Sequence, residues 1–184
     1  MSPGSAALRP VQVVQNAYVV RDLERACHRL QALYRIGPFL RTGPKALPDV
    51  RYRGAPVRAP ITLTTAFAQA GTVNIELIQP SAAVPNIYDD VVPPGRDGFH
   101  HVATWSSDYA AEKQAFLEAG FEIIQELRLL PDCEVSFIDA RPVLGHVIEL
   151  YTDHPYLRFY YDEVDRQTRE WDGKNLILDL DIPR

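Results

Sequence analysis

Apolar and polar positions divide the chain into two halves that read alike. Residues 11–20 are apolar and β-rich, which predicts a strand. Asp22 follows, and Ala26, Leu30, Leu33 and Tyr34 recur at helical spacing. That spacing predicts a helix over residues 22–34, stopped by Gly37-Pro38. Residues 61–67 and 72–79 read as two strands around a turn at Ala70-Gly71. The order then repeats. A strand opens at Gly98-Phe99-His100-His101, and a helix covers residues 108–119 with Gly120 at its end. Strands follow over residues 121–129, 134–139 and 146–152, separated by turns at Pro131-Asp132 and residues 142–145. Asp22 and Asp108 both stand where a carboxylate accepts from the free N–H groups of a first helical turn. The second half therefore reads β-α-β-β-β.

Three stretches break the pattern. Residues 41–60 hold six prolines and glycines among Lys45, Arg51, Arg53 and Arg58. Proline removes ladder donors, so this stretch is loop or edge strand. It serves either as a solvated connection or as a basic flap that receives an anionic substrate. Residues 80–98 hold four prolines and two glycines and read as a linker, with a short turn around Asn86 to Asp90. From Asp153 and Pro155 a helix runs to a stop at Gly173, with Leu157, Tyr160, Tyr161, Val164 and Trp171 on one aromatic face. That face is expected to cover the core or the seam of a homodimer. Residues 176–182 read as a terminal strand or tail. The expected organisation is a disordered lead over residues 1–10, modules over 11–80 and 99–152, a linker over 81–98, and a C-terminal helix and tail over 153–184.

Composition narrows the function. A chain of 184 residues with 46% hydrophobic and 23% charged residues is ordinary for a folded domain. Its net charge of -5 argues against a nucleic-acid partner, which requires a basic surface. No apolar run approaches the roughly 18 residues of a membrane span, and the N-terminus lacks the pattern of a signal peptide. Cys27 and Cys133 have no CxxC spacing, and Cys27 sits in a helical pattern as a small hydrophobe. A reducing cytoplasm fits that usage.

The chemistry lies in the repeat. Glu76 sits in Val73-Asn74-Ile75-Glu76-Leu77-Ile78, and Glu149 in Val147-Ile148-Glu149-Leu150-Tyr151. Glutamate is rarely buried unless it is paired or bound to a metal. Either residue alone reads as the solvent face of a half-exposed strand. Together they occupy the same place in two modules, and Gln15 and His101 occupy another such place. An imidazole, an amide oxygen and two carboxylates suit one divalent ion, Zn, Ni, Co, Mn or Fe, in an open five- or six-coordinate site. A closed structural zinc site prefers Cys and His in a tetrahedron. His100 and His101 are adjacent on a strand, so only one is expected to face a given interior. His146 and His154 are expected at the surface, and Tyr88 either orders the linker or closes over a ligand.

These phrases resemble the vicinal oxygen chelate superfamily, the group of glyoxalases, bleomycin-resistance proteins and extradiol dioxygenases. The segments carrying the resemblance are Gln15 with Val20-Arg21-Asp22-Leu23-Glu24-Arg25-Ala26, Ile75-Glu76-Leu77-Ile78-Gln79-Pro80, Phe99-His100-His101-Val102-Ala103 and Val147-Ile148-Glu149-Leu150-Tyr151. It covers residues 11–152 and is nearest to the glyoxalase I and methylmalonyl-CoA epimerase-like branches. The resemblance implies an α+β fold in which two paired βαβββ modules form a cupped mixed sheet around a metal site. It implies Gln15, Glu76, His101 and Glu149 as metal ligands, with His100 outside. It also implies a divalent-metal-dependent lyase, isomerase or epimerase acting on a small carbonyl or acyl-thioester substrate through an enolate. Glu149 is the first choice for the proton-moving carboxylate and Glu76 the second. The family's metal-independent catalytic Glu in the middle strands has no match, because residues 41–67 offer only Asp49. Other branches are Fe(II)-dependent extradiol-type dioxygenases, which use two His and one Glu, and non-catalytic binding proteins of the same fold.

Overall fold

The computed structural model describes residues 12–180; residues 1–11 and 181–184, including the expected lead, lie outside the described residues. In the first half, β1 (Val13–Val19) leads into α1 (Leu23–Tyr34), then β2 (Phe39–Ala46), β3 (Arg51–Tyr52), β4 (Ala55–Pro56), β5 (Thr62–Ala70) and β6 (Val73–Ser81). After α2 (Ile87–Val91), the second half runs β7 (Gly98–Ser106), α3 (Tyr109–Glu118), β8 (Ile123–Leu130), β9 (Cys133–Ile138), α4 (Arg141–Leu144) and β10 (Val147–Thr152). The chain continues into α5 (Pro155–Glu170) and β11 (Ile177–Asp179).

The expected caps form. Asp22 accepts from the Arg25 backbone N–H at 2.9 Å, and Asp108 from that of Ala111 at 3.2 Å. At α5 the cap is His154, whose Nδ1 accepts from the Tyr156 N–H at 3.1 Å; Asp153 instead pairs with Arg158.

Among the described residues, all eleven strands join one sheet in the order β11-β2-β5-β6-β1-β7-β10-β9-β8-β3-β4. In each half the first strand runs parallel to the last, β1 with β6 and β7 with β10. The halves meet where β1 lies antiparallel to β7. The fold is α+β, two βαβββ units whose strands form one cupped mixed sheet, with α5 as a C-terminal helix.

Side chains alternate across this sheet as a pleat requires. On β6, Ile75 and Leu77 join Val20, Leu23, Cys27 and Phe39 in the core beneath α1. Asn74, Glu76 and Ile78 take the opposite face and line the interior of the cup. Leu63, Thr65 and Phe67 of β5, and Val135 and Phe137 of β9, line the same interior. The period of two therefore puts Glu76 inside by the same step that puts its apolar neighbours under a helix.

Residues 41–60 are more ordered than their prolines and glycines suggest. β2 extends through Gly43 with a register break between Thr42 and Lys45. The chain then crosses to the far edge of the second half, where Arg51 and Tyr52 pair with Glu126 and Gln125 of β8. A segment of the first unit thus straps onto the second, and Leu47 and Pro48 line the cup on the way. Most of the basic residues are held away from the interior. Arg51 donates to the Gly54 carbonyl, and Arg53 pairs with Asp90 and Glu122. Lys45 alone among the basic side chains of this stretch lines the cup.

Helix α5 lies on β5 and brings Leu157, Tyr160, Tyr161 and Val164 to the cup. Val164 is buried there. Trp171 departs from the expected aromatic face, because the helix has ended and its ring lies over Gly37. No described helix is long and apolar enough to cross a membrane.

Candidate metal centre

The registers place the four candidate residues equivalently. Gln15 is opposite Asn74 across the parallel pair, two residues before Glu76. His101 is opposite Val147, two residues before Glu149. Across the antiparallel seam, Gln15 faces Ala103 and Ala17 faces His101. All four line one cavity of about 170 Å³.

Three of them converge tightly. His101 Nε2 lies 3.0 Å from Glu149 Oε2 and 3.7 Å from Glu76 Oε2. One ligand atom from each of Glu76, His101 and Glu149 fits within 4.8 Å of the other two. Gln15 is buried beside them and donates its Nε2 to Asn74 Oδ1 at 3.0 Å, which leaves the carbonyl oxygen as its remaining polar atom.

The electrostatics of this cluster are unfavourable without a cation. Burial, and for Glu76 the nearby Glu149 charge, holds both carboxyls well above their ordinary value of 4.5. Burial, with His146 adding to it, pushes His101 down to about 3, so its ring is neutral. His101 Nε2 is buried and makes no well-aligned hydrogen bond among the described residues. A neutral imidazole lone pair aimed between two carboxylates matches the donor set of a divalent cation.

His100 departs from the expectation that it lies outside. Ala17 pairs with His101 but Tyr18 pairs with Phe99, so His100 is the extra residue of a β-bulge. The bulge breaks strict alternation, and both rings are buried against Phe137, although only His101 lines the cavity. His100 Nδ1 lies 2.7 Å from His101 Nδ1, while its Nε2 faces the Ile87 carbonyl at 3.4 Å. The ring stacks on Tyr88 with centroids 5.2 Å apart. Burial and the neighbouring His101 hold His100 well below its ordinary value. One tautomer satisfies the whole chain of contacts. His100 Nε2–H donates to Ile87, His101 Nδ1–H donates to His100 Nδ1, and His101 Nε2 keeps its lone pair for the site. The sequence signal that could have found this is the His-His pair itself, had a bulge been considered.

The remaining sequence candidates divide between the cavity wall and the surroundings. Tyr88 lines the cavity from α2 and stacks on His100. His154 caps α5, and the His146 ring lies against Phe99.

The family model described as the Glyoxalase/Bleomycin resistance protein/Dioxygenase superfamily matches residues 14–137. The chain belongs to this superfamily. The vicinal oxygen chelate resemblance is thereby borne out. Solved structures agree on the fold. A methylmalonyl-CoA epimerase from Mycobacterium tuberculosis aligns with TM-score 0.53 and 18% identity, over 80% of this chain and 91% of that one. A hypothetical protein from Bacillus halodurans aligns with TM-score 0.56 and 17% identity, over 79% and 96%. A Streptomyces coelicolor methylmalonyl-CoA epimerase variant, in complex with 2-nitronate-propionyl-CoA, aligns with TM-score 0.51 and 16% identity, over 78% and 95%. No curated protein matches the sequence. At these identities the solved structures speak for the architecture alone.

Proposed function

We propose that the protein is a divalent-metal-dependent isomerase, epimerase or lyase that moves a proton next to a substrate carbonyl. The observation that carries this reading is the buried triad Glu76, His101 and Glu149, whose ligand atoms lie within 4.8 Å of one another at the floor of an apolar cavity. Gln15 completes the ligand set through its amide oxygen. A divalent cation supplies Lewis acidity there, polarising a bound carbonyl so that the adjacent C–H becomes acidic.

The chain's own residues do the rest. Glu149 accepts the α-proton, the C–H electron pair passes into the enolate, and the proton returns to the same or the neighbouring carbon. The step involves no net redox and needs no external oxidant. Glu76 shares the charge of the site and is the second choice as base. Burial holds the Tyr88, Tyr151 and Tyr161 hydroxyls protonated, and the Tyr151 and Tyr161 hydroxyls bond each other, so one proton of that pair is free for the cavity. The apolar walls exclude water, which strengthens the electrostatic contacts within.

Elemental analysis after loading is expected to find about one ion per chain under single-site mass action. The loaded protein should then incorporate solvent deuterium into an α-hydroxyketone without oxygen. Turnover that consumes oxygen would favour ring-cleaving dioxygenase chemistry instead. Ligand binding with no exchange would favour a non-catalytic binding protein.

His100 gives a sharper test of the ligand geometry. His100→Phe keeps a ring to stack on Tyr88 but removes the acceptor that fixes the His101 tautomer. Loss of such an outer partner typically weakens metal affinity about 10–100-fold. Competitive zinc titration should show that loss, with circular dichroism unchanged. An unaltered affinity would mean that His100 does not orient the ligand.

A further inference from the structure

The cup has a wall that decides what can enter it. Helix α5 contributes Tyr156, Leu157, Tyr160, Tyr161 and Val164 to the cavity lining. The helix is fixed in place. The Tyr161 hydroxyl bonds that of Tyr151, and both rings pack on Trp105 at 4.8 Å. Arg158 lies 4.3 Å from the Trp105 ring and pairs with Asp153. Tyr160 meets Phe67 edge-on at 6.2 Å. The remaining space is about 170 Å³, mostly apolar and aromatic.

Charge is equally restrictive. Among the described residues, Lys45 is the only lysine or arginine lining the cavity. It is exposed, and its Nζ lies 3.3 Å from the Tyr156 hydroxyl, which in turn lies 3.0 Å from that of Tyr160. Of the arginines nearby, Arg41 pairs with Asp179, Arg51 with the Gly54 carbonyl and Arg53 with Asp90, and Arg58 lines a separate pocket with Arg51. One flexible ammonium suits one carboxylate. A nucleotide-bearing thioester carries several phosphates, and recognising them favours clustered, forked arginine donors.

We infer that the site takes a compact carbonyl compound with an aromatic body and a single carboxylate, its carbonyl end at Glu76, His101 and Glu149 and its carboxylate at Lys45. The aromatic part lies against Tyr160 and Phe67, where ring–ring contact adds to simple burial. The Tyr156 hydroxyl, between Lys45 and Tyr160, joins the charged end of the site to the aromatic part. This inference rests on the proposed proton-transfer function for its chemistry, but the recognition it describes is testable separately.

The test uses the metal-loaded protein and three probes: phenacyl alcohol, its para-carboxylate and methylmalonyl-CoA. Binding is read by calorimetry, and α-proton exchange by NMR in deuterium oxide. The para-carboxylate is expected to bind about five-fold more tightly than phenacyl alcohol, an ordinary effect for one exposed ion pair. Lys45→Ala should erase that difference between the two aryl probes. Tyr160→Ala should weaken both aryl probes about five-fold, and Tyr160→Phe should restore most of the loss. Arg51→Ala should change neither. Methylmalonyl-CoA should neither compete nor exchange.

Tight binding and exchange of methylmalonyl-CoA would overturn the inferred substrate class while leaving the proton-transfer reading intact. Aryl probes that bind with the expected Lys45 dependence but never exchange would uphold the recognition and overturn the chemistry. Equal binding of the two aryl probes would remove the role assigned to Lys45.

Discussion

Saturating divalent metal is expected to raise the Tm of the protein by roughly 10 °C at about pH 8, and by much less at about pH 6. A ligand at a thousand times its Kd stabilises the native state by about 4 kcal/mol. For a chain of this length, each kcal/mol moves Tm by about 2–4 °C. The pH dependence follows from the buried groups. Glu76 and Glu149 have native values above their ordinary 4.5. Their contribution to the metal-free protein is fully present below that pH and is lost as pH rises through the native values. His101 has the opposite sign. Its native value is about 3 against an ordinary 6.5, so its contribution is present above 6.5 and lost as pH falls toward 3. Between 4.5 and 6.5 the two trends oppose each other. Above 6.5 only the loss from the carboxylates remains, at about 1.4 kcal/mol per pH unit for each proton the native state still holds in excess.

The metal-free protein should therefore lose stability as pH rises from neutrality, and the cation should restore it. Metal binding must displace the protons on the two carboxyls, which is why it weakens at lower pH. Thermal melts with Mn, Co, Ni and Zn at both pH values test this. A Tm that none of these ions moves at the higher pH would eliminate the metal site.

The sequence and the structure diverge in an instructive way. Glu76, Glu149, Gln15 and His101 were legible because each half repeats a short local pattern. Alternation on β6 and β10 then carries each Glu to the cup face. Asp22 and Asp108 were legible because capping depends on a few neighbouring residues. The strap through Arg51 and Tyr52 was not. Its partners, Glu126 and Gln125, lie on the other unit, and no local pattern reports a pairing over that separation. His100 escaped for a related reason. Its placement depends on one extra residue in β7 relative to β1, a property of the pair of strands and not of either alone. Which cations of residues 41–60 face the cup was not legible, because the companions of Arg51 and Arg53 come from a local carbonyl and from distant Asp90 and Glu122. Only after those pairs are seen does Lys45 stand out as the single lysine or arginine of the cavity among the described residues.

Glu149→Gln is expected to keep much of the metal and to lose proton exchange by about 10²–10⁴-fold, the range a positioned general base contributes. The amide retains the shape and one ligand oxygen but has no basic lone pair for carbon acid chemistry. Burial raises both carboxyls, and the two share one field and titrate as a pair. Glu149, whose Oε2 lies 3.0 Å from His101 Nε2 against 3.7 Å for Glu76, is the first choice as base and Glu76 the second. Glu76→Gln should cost less exchange than Glu149→Gln at equal metal occupancy. His101→Ala removes the only imidazole of the triad and should abolish metal binding and exchange together. Measuring metal content and α-proton exchange on the same preparations separates these outcomes. A Glu149→Gln protein that exchanges at the wild-type rate would transfer the base role to Glu76 or to a cavity hydroxyl, and the Glu76→Gln variant would then show the larger loss if Glu76 is that base.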